Sequence, residues 1–227
     1  MPTVLITGAN RGLGLEFARQ YAADNWRVIA TCRNPTLASK LIQIRGDITI
    51  LPLDVTDFSA IEATSEILKA EKIDILLNNA GVYDSNKKGL CKTDFDLWAT
   101  MLRINVLAPL KIIESFTPQV ISSDKKMIVS ISSLLGSISA NDSGGQYAYR
   151  SSKAALNSVN KSLSVDLAGK GVISIVISPG WVRTDMGGPE ATLGSVESVA
   201  GIRRVIDSLQ PVDSGKFFNF DGSSLNW

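Results

Sequence analysis

Short β-branched runs alternate with longer segments of helical period along almost the whole chain. The apolar runs at 3–7, 26–32, 48–53, 73–78, 127–133, 172–178 and 216–220 are nearly continuous, the signature of strands covered on both faces. Between them, apolar positions recur every three or four residues at 12–23, 36–44, 58–70, 94–121, 149–168 and 195–209, which predicts helices. Strand and helix in repeated alternation predict an α/β protein with the Rossmann architecture, a doubly wound, seven-stranded parallel sheet flanked by helices. No internal repeat, low-complexity tract or Pro/Gly/Ser-rich linker divides the chain, so residues 1–227 read as one domain. Such sheets receive ligands beyond the carboxyl ends of their strands, and the informative residues are expected there.

After the first predicted strand comes TGANRGLG, in which Gly8, Gly12 and Gly14 open a helix. Glycines let the backbone turn tightly and approach a pyrophosphate, while free N–H groups and the positive dipole end of the helix hold its charge. A purely structural turn would use the same glycines, but the strand-to-helix context favours a dinucleotide. The second strand ends VIATCRNP, where an NAD site usually carries an acidic residue for the ribose 2′-hydroxyl. Arg33 stands there instead, and with Arg11 it would pair with a 2′-phosphate, which favours NADP(H). Two solvated arginines are the alternative, and they leave the missing acid unexplained.

Three further strand ends carry polar residues. In PLDVTD the Asp54 carboxylate would accept from an adenine amino group, unless Asp54, Thr56 or Asp57 caps the next helix. In LLNNAG, Asn78, Asn79 and Gly81 suit tying neighbouring strands together and bringing backbone close to a cofactor. ISPGWVRTDM supplies Pro179 and Gly180, with Thr184 at a reach suited to a nicotinamide amide or a phosphate.

Composition narrows the partners. The chain is 44% hydrophobic and 20% charged with a net charge of +1, so no global field marks a nucleic-acid binder, and a small molecule is the expected partner. No apolar run approaches the ~18 residues of a membrane span, and the N-terminus lacks a basic leader, so neither membrane insertion nor export is expected. Cys32 and Cys91 lie far apart and outside metal-ligand spacing, which suits a reduced cytoplasmic protein without a disulfide framework. Histidine is absent altogether, which argues against Ser/His/Asp hydrolysis and against a metal site.

Proton transfer therefore falls to another group. YAYRSSKAAL places Tyr149 four residues before Lys153, one helical turn apart on one face. A phenol of pKa near ~10 is a poor acid-base group at neutral pH unless a neighbouring positive charge stabilises its phenolate, and Lys153 supplies one. Tyr147 is the rival, but the residue four positions beyond it, Ser151, is uncharged.

These motifs together, TGANRGLG, NNAG, the serine pair of ISS at 131–133, Tyr149-x-x-x-Lys153 and PG at 179–180, resemble the short-chain dehydrogenase/reductase family over essentially the whole chain. Within it, SLLGSISANDSGGQYAYRSSKAALN, SPGWVRTDMGG and FFNFDGSSLNW are similar to sniffer-type carbonyl reductases and C-factor-like proteins. The resemblance implies an NADPH-dependent reduction of aldehydes or ketones, with Tyr149 as proton donor and Ser133 holding the developing oxyanion. It implies that Asn105, in the fourth helix, binds a water linking Lys153 to solvent. It implies cofactor contacts from Gly8, Asn10, Arg11, Gly12, Leu13, Gly14, Arg33, Asp54, Val55, Asn79, Ala80, Gly81, Tyr149, Lys153, Pro179, Gly180, Val182 and Thr184. It also implies a homodimer paired through helices 94–121 and 149–168. A redox-sensing or signalling protein that binds NADP(H) with little turnover is the alternative.

Two departures bear on the pocket. The serine spacing usual in the family lands on Gly136, which has no hydroxyl, so SISANDSGG reads as a loop lengthened by three residues; Ser130, Ser132 and Ser137 compete with Ser133 for the oxyanion role. Pro109 would disturb the helical hydrogen bonds beside Asn105 and free a carbonyl for the water. Segments 83–95, 134–147 and 181–194 are expected to line the substrate side with Tyr83, Leu134, Leu135, Tyr147, Trp181 and Met186, an open apolar surface, although Tyr83 and Trp181 would serve equally as core packing.

Overall fold

A computed structural model describes residues 1–84 and 90–227. Seven parallel strands form one sheet in the order β3-β2-β1-β4-β5-β6-β7. They span Thr3–Thr7 (β1), Arg27–Cys32 (β2), Ile48–Pro52 (β3), Ile75–Asn78 (β4), Met127–Ile131 (β5), Ile173–Ser178 (β6) and Phe217–Asn219 (β7). The chain winds outward from β1 to β3, then crosses back to lay β4 on the other side of β1. The connection reverses there, so the carboxyl ends of β1 and β4 open the crevice.

Both faces of the sheet are covered, which explains why the strand runs are apolar throughout. On one face, Val4, Ile6, Val28, Ile75 and Ile175 pack with Phe17 and Tyr21 of α1 (Gly12–Ala23) and with Val199 and Ile202 of α7 (Ser195–Ser208). On the other, Leu5, Ile29, Leu76 and Ile128 meet Ile61 of α3 (Phe58–Ile67) and Ile112, Ile113 and Phe116 of α5 (Ala108–Ile121). Among the described residues no helix is long and apolar enough to cross a membrane.

The helical period is right in position but not always in continuity. Residues 36–44 form a 3₁₀ turn, Pro35–Leu37, and a four-residue helix α2, Ser39–Ile42, of which only Leu41 is buried. The long helix expected over 94–121 is α4 (Phe95–Leu102), a π turn over Arg103–Leu107, and then α5. In the π turn the Ala108 N–H donates to the Arg103 carbonyl, five residues back. Pro109 has no N–H to give the Asn105 carbonyl four residues before it, so a regular α-helical ladder cannot pass through. The helix predicted from 149 begins at Tyr147 and runs to Asp166 as α6.

The far edge of the sheet, away from the crevice, is tied by one carboxylate. Buried Asp74 accepts from the Thr3 N–H at 2.8 Å and the Lys125 N–H at 3.2 Å, joining the entries to β1 and β5 across β4. Asp74→Ala would leave two donors without a partner. A loss of about 1–3 kcal/mol of unfolding free energy is expected, read from the urea midpoint.

Candidate active site

The crevice begins where β1 turns into α1. Gly8 and Gly12 have φ of +68° and +55°, a region that side chains avoid. A Cβ on Gly14 would lie 2.3 Å from the Gly8 carbonyl and 2.5 Å from Asn79 Nδ2, so only glycine lets α1 seat this close to the loop. Asn79 closes the other side: its Nδ2 donates to the Thr7 and Gly8 carbonyls at 2.9 and 3.1 Å. Thr7 Oγ1 accepts from the N–H groups of Asn79 and Ala80, both at 3.0 Å. No side chain caps α1 and no acid stands in its first turn, which leaves its positive end facing the crevice.

At the end of β2, Arg33 is exposed and has no hydrogen-bond or ion-pair partner among the described residues. Arg11 turns the other way, donating to Asp185 at 2.7 Å across the crevice mouth, and does not join Arg33. Exposed Asp54 folds one carboxylate oxygen onto Thr56 N and Oγ1 at 2.9 and 2.8 Å, and Asp57 is the residue that caps α3. Val55 is buried beside Asp54. Thr184 reaches the glycine loop, its methyl 3.6 Å from where a Gly12 Cβ would sit. Pro179 and Gly180 turn out of β6, with the Pro179 carbonyl fixed by Ser198 Oγ at 2.7 Å, and Val182 is buried behind them.

The first two turns of α6 carry Tyr149 and Lys153. Lys153 is 6% exposed and its Nζ donates to the Ile131 carbonyl at 2.8 Å, at the end of β5. Desolvation of its ammonium holds its pKa down at about 8. Half-buried Tyr149 is pushed up to about 12 by desolvation, against which the hydrogen-bonding Ser133 hydroxyl pulls it down. The expected lowering by Lys153 is not what the protein alone provides. The ammonium lies 5.7 Å from the phenol ring and is engaged with Ile131. At neutral pH the phenol is therefore protonated, the form that donates.

Asn105 is carried into this group by the π turn and is 1% exposed. Its Oδ1 accepts from Val82 N at 2.9 Å, and its Nδ2 donates to Val82 O and to Ser152 Oγ, both at 3.0 Å. Ser152 Oγ in turn donates to the Tyr149 carbonyl at 2.8 Å. A Cβ on Gly81 would lie 3.3 Å from Asn105 Oδ1 and 3.8 Å from Lys153 Nζ, so the NNAG turn packs close against both side chains.

Among the serines, position separates the candidates. Ser132 is buried and donates to Asn157 Oδ1 at 2.6 Å; Ser130 is buried within β5; Ser137 is buried and bonded to Ser139 and Ala140. Ser133 is half-buried and caps the turn Leu134–Gly136. Gly136 packs on α6, where a Cβ would lie 2.8 Å from Lys153 Cβ and 2.9 Å from the Lys153 carbonyl carbon, so no side chain fits at the usual spacing. The longer loop continues through Gly144, Gly145 and Gln146, all of positive φ, into α6.

Around this group Leu134, Tyr147, Trp181 and Met186 are 51%, 40%, 55% and 43% exposed, so Trp181 is not core. Its indole N–H is held by the Gly187 carbonyl at 2.8 Å. Of the expected lining, residues 85–89 lie outside the described residues. Two contacts had no sequence signal: the Asp185 partner of Arg11, and the Trp227 carbonyl that accepts from Ser139 N at 3.0 Å in the longer loop. A third, Gln146 Nε2 donating to the Tyr83 hydroxyl at 2.9 Å, involves a tyrosine that sequence marked as pocket lining or core packing.

A glycine-rich β1–α1 turn, an asparagine-tied β4 exit and a Ser/Tyr/Lys group at the ends of β5 and α6 define a dehydrogenase of the Rossmann type. A sequence model of the short chain dehydrogenase family matches residues 2–192, and the chain belongs to that family of oxidoreductases. It is similar to C-signal of Myxococcus xanthus, 43% identical over 155 residues that cover 68% of this chain and 93% of that protein. Its fold is similar to that of the carbonyl reductase Sniffer of D. melanogaster, with a TM-score of 0.93, 33% identity and full coverage of both chains. An NADPH-bound carbonyl reductase from chicken fatty liver matches with a TM-score of 0.87 and 33% identity, covering 100% of this chain and 99% of that one.

The Lys153 geometry has a pH signature. Its ordinary pKa is near 10.5 and the folded value is about 8, so below pH 8 both states carry the proton and the native state bears the full desolvation cost. Between these values the unfolded chain binds more protons, so stability from this residue rises with pH. Urea unfolding of the protein minus that of Lys153→Met should be flat below pH 8 and climb toward about 10.5; a difference that is constant or falls over that window contradicts the buried ammonium.

Proposed function

We propose that the chain is an NADPH-dependent carbonyl reductase that converts aldehydes or ketones to alcohols. The observation that carries this is the convergence of Ser133, Tyr149 and Lys153 on one patch beside the glycine-loop crevice, in a chain without histidine. Bound NADPH supplies hydride to the carbonyl carbon. Tyr149 gives its phenolic proton to the carbonyl oxygen, and Ser133 donates a hydrogen bond to the charge that develops there. Lys153 holds positive charge near the phenolate that results, and Asn105 fixes the backbone on both sides of it.

The crevice suits the dinucleotide. The N-terminus of α1 and the glycines at 8, 12 and 14, with Asn10 and Leu13, would face its pyrophosphate. Ala80, Gly81, Pro179, Gly180, Val182 and Thr184 would border its nicotinamide half, and Asp54 and Val55 its adenine. Unpartnered Arg33, where an acid would select NAD(H), would hold the 2′-phosphate. The exposed apolar rim at Leu134, Tyr147, Trp181 and Met186 suits an open site for apolar carbonyl compounds. We place the enzyme in the cytoplasm as a homodimer. The similarity to C-signal supports a second reading, an NADP(H)-binding signalling protein with little turnover.

Nicotinamide absorbance over a panel of aromatic aldehydes and diketones separates the two. Turnover is expected with NADPH in preference to NADH; Tyr149→Phe should lower it by about 10²–10⁴-fold, and Arg33→Ser should erase the cofactor preference. Tight NADPH binding without turnover on any carbonyl would favour the signalling reading.

A further inference from the structure

Tyr149 lies in the first turn of α6, a helix whose entry is unusual. Its N-cap residue, Gln146, makes no side-chain cap. It is also the third in a row of left-handed residues, at φ +49° after Gly144 at +62° and Gly145 at +63°. A side chain rarely adopts that backbone, and here the conformation sends the amide elsewhere: Gln146 Nε2 donates to the Tyr83 hydroxyl at 2.9 Å. The Tyr83 ring stands edge-on to the Tyr149 ring, centroids 4.8 Å apart and planes at 81°.

The other end of Tyr83 is equally fixed. Its neighbour Val82 is held through both backbone groups by Asn105, and the same Asn105 amide reaches the Tyr149 carbonyl through Ser152. Tyr83 and Tyr149 are thus hung from one buried side chain and pressed together by a second residue, Gln146.

We propose that Tyr83 is a positioning residue for Tyr149, a brace set by Gln146 that keeps the phenol ring in the one orientation from which it donates its proton. The inference deepens the reductase reading and rests on it for its kinetic consequence, while the brace itself is a property of the protein alone. Charged and titratable groups bordering Tyr149 are Lys153 from its own helix, and Asp84 and Asp94 across the cleft formed with the start of α4. The Asp94 side chain already caps α4 at Leu97 N, 3.0 Å away. The Tyr83 hydroxyl itself opposes ionisation of Tyr149.

The test uses tyrosine ring-flip rates, measured by NMR on ring-labelled full-length protein with bound NADPH, alongside steady-state kinetics. Buried Tyr21, in the opposite layer, is the internal control. In Tyr83→Ala, and in Gln146→Gly, which also removes the left-handed strain, the Tyr149 ring should flip at least about tenfold faster while Tyr21 is unchanged. Turnover in Tyr83→Ala should fall at least about tenfold with NADPH affinity held within twofold, and the solvent deuterium isotope effect should rise as proton transfer becomes limiting. A Tyr149 flip rate equal to that of the parent protein, or one that rises only together with that of Tyr21, overturns the brace. So does a turnover loss matched by an equal loss of NADPH affinity. Absence of carbonyl turnover in the parent protein would count against the reductase reading, and the flip rates would still decide the brace.

Discussion

The amide of Asn105 joins segments that the rest of the site depends on. It is buried, and its three hydrogen bonds reach two segments: two go to the backbone that leaves β4 and one to the first turns of α6. Removing it would leave the Val82 N–H and carbonyl without partners, a cost of about 1–3 kcal/mol for each group. The amide reaches this point because the helix around it is one residue out of α-register. A π turn inserts that residue, and Pro109, unable to complete the regular ladder, is the reason a π turn is tolerated there. Local backbone irregularity, tertiary hydrogen bonding and placement of the tyrosine pair are therefore one arrangement.

Around that joint the sheet supplies the floor. Lys153 is buried with one carbonyl as its hydrogen-bond partner among the described residues, so its ammonium is costly to keep charged. One glycine makes room for its backbone, Gly136, where a Cβ would lie 2.8 Å from Lys153 Cβ, and Gly81 packs beside its Nζ. Ser132 and Asn157 bond to each other, and Asn157 Nδ2 reaches the Gly136 carbonyl at 3.3 Å, which locks the start of the longer loop onto α6. The loop from Ser137 to Gln146 then runs out and back while Ser133 stays beside Tyr149, because the excursion lies beyond Gly136. The C-terminal segment steadies that excursion, with Trp227 stacked on Phe217 and its carbonyl bound to Ser139.

Much of this was legible in the residues. Seven apolar runs gave seven strands to within a residue or two, since strands covered on both faces leave an unambiguous record. Tyr149, Lys153 and the glycine loop were marked by spacing, because helical turns and strand ends convert spacing directly into proximity, whereas Ser133 was named from the resemblance and not from its spacing. What stayed hidden depends on contacts between distant segments. No periodicity indicates that 94–121 is interrupted, although Pro109 marks the place. The N-cap of α3 could not be assigned among Asp54, Thr56 and Asp57 from sequence, because all three are capping residues and only backbone geometry selects Asp57. The Lys153 ammonium is also bonded to the Ile131 carbonyl and its pKa is lowered by burial to about 8, a tertiary contact and a desolvation that sequence does not contain.

The charges at the crevice mouth complete the argument. Arg11 and Asp185 form an ion pair whose side chains are 61% and 73% exposed, so water and salt screen it and it holds the two loops together only weakly. Within the pair, however, the field of Arg11 is largely cancelled by its partner. Arg33 has no such partner among the described residues, and it stands at the end of β2, where an acid would repel a phosphate. In the proposed reading, discrimination between the two nicotinamide dinucleotides would rest on this one guanidinium at one edge of the crevice, while the glycine loop and helix dipole would supply the binding that both share.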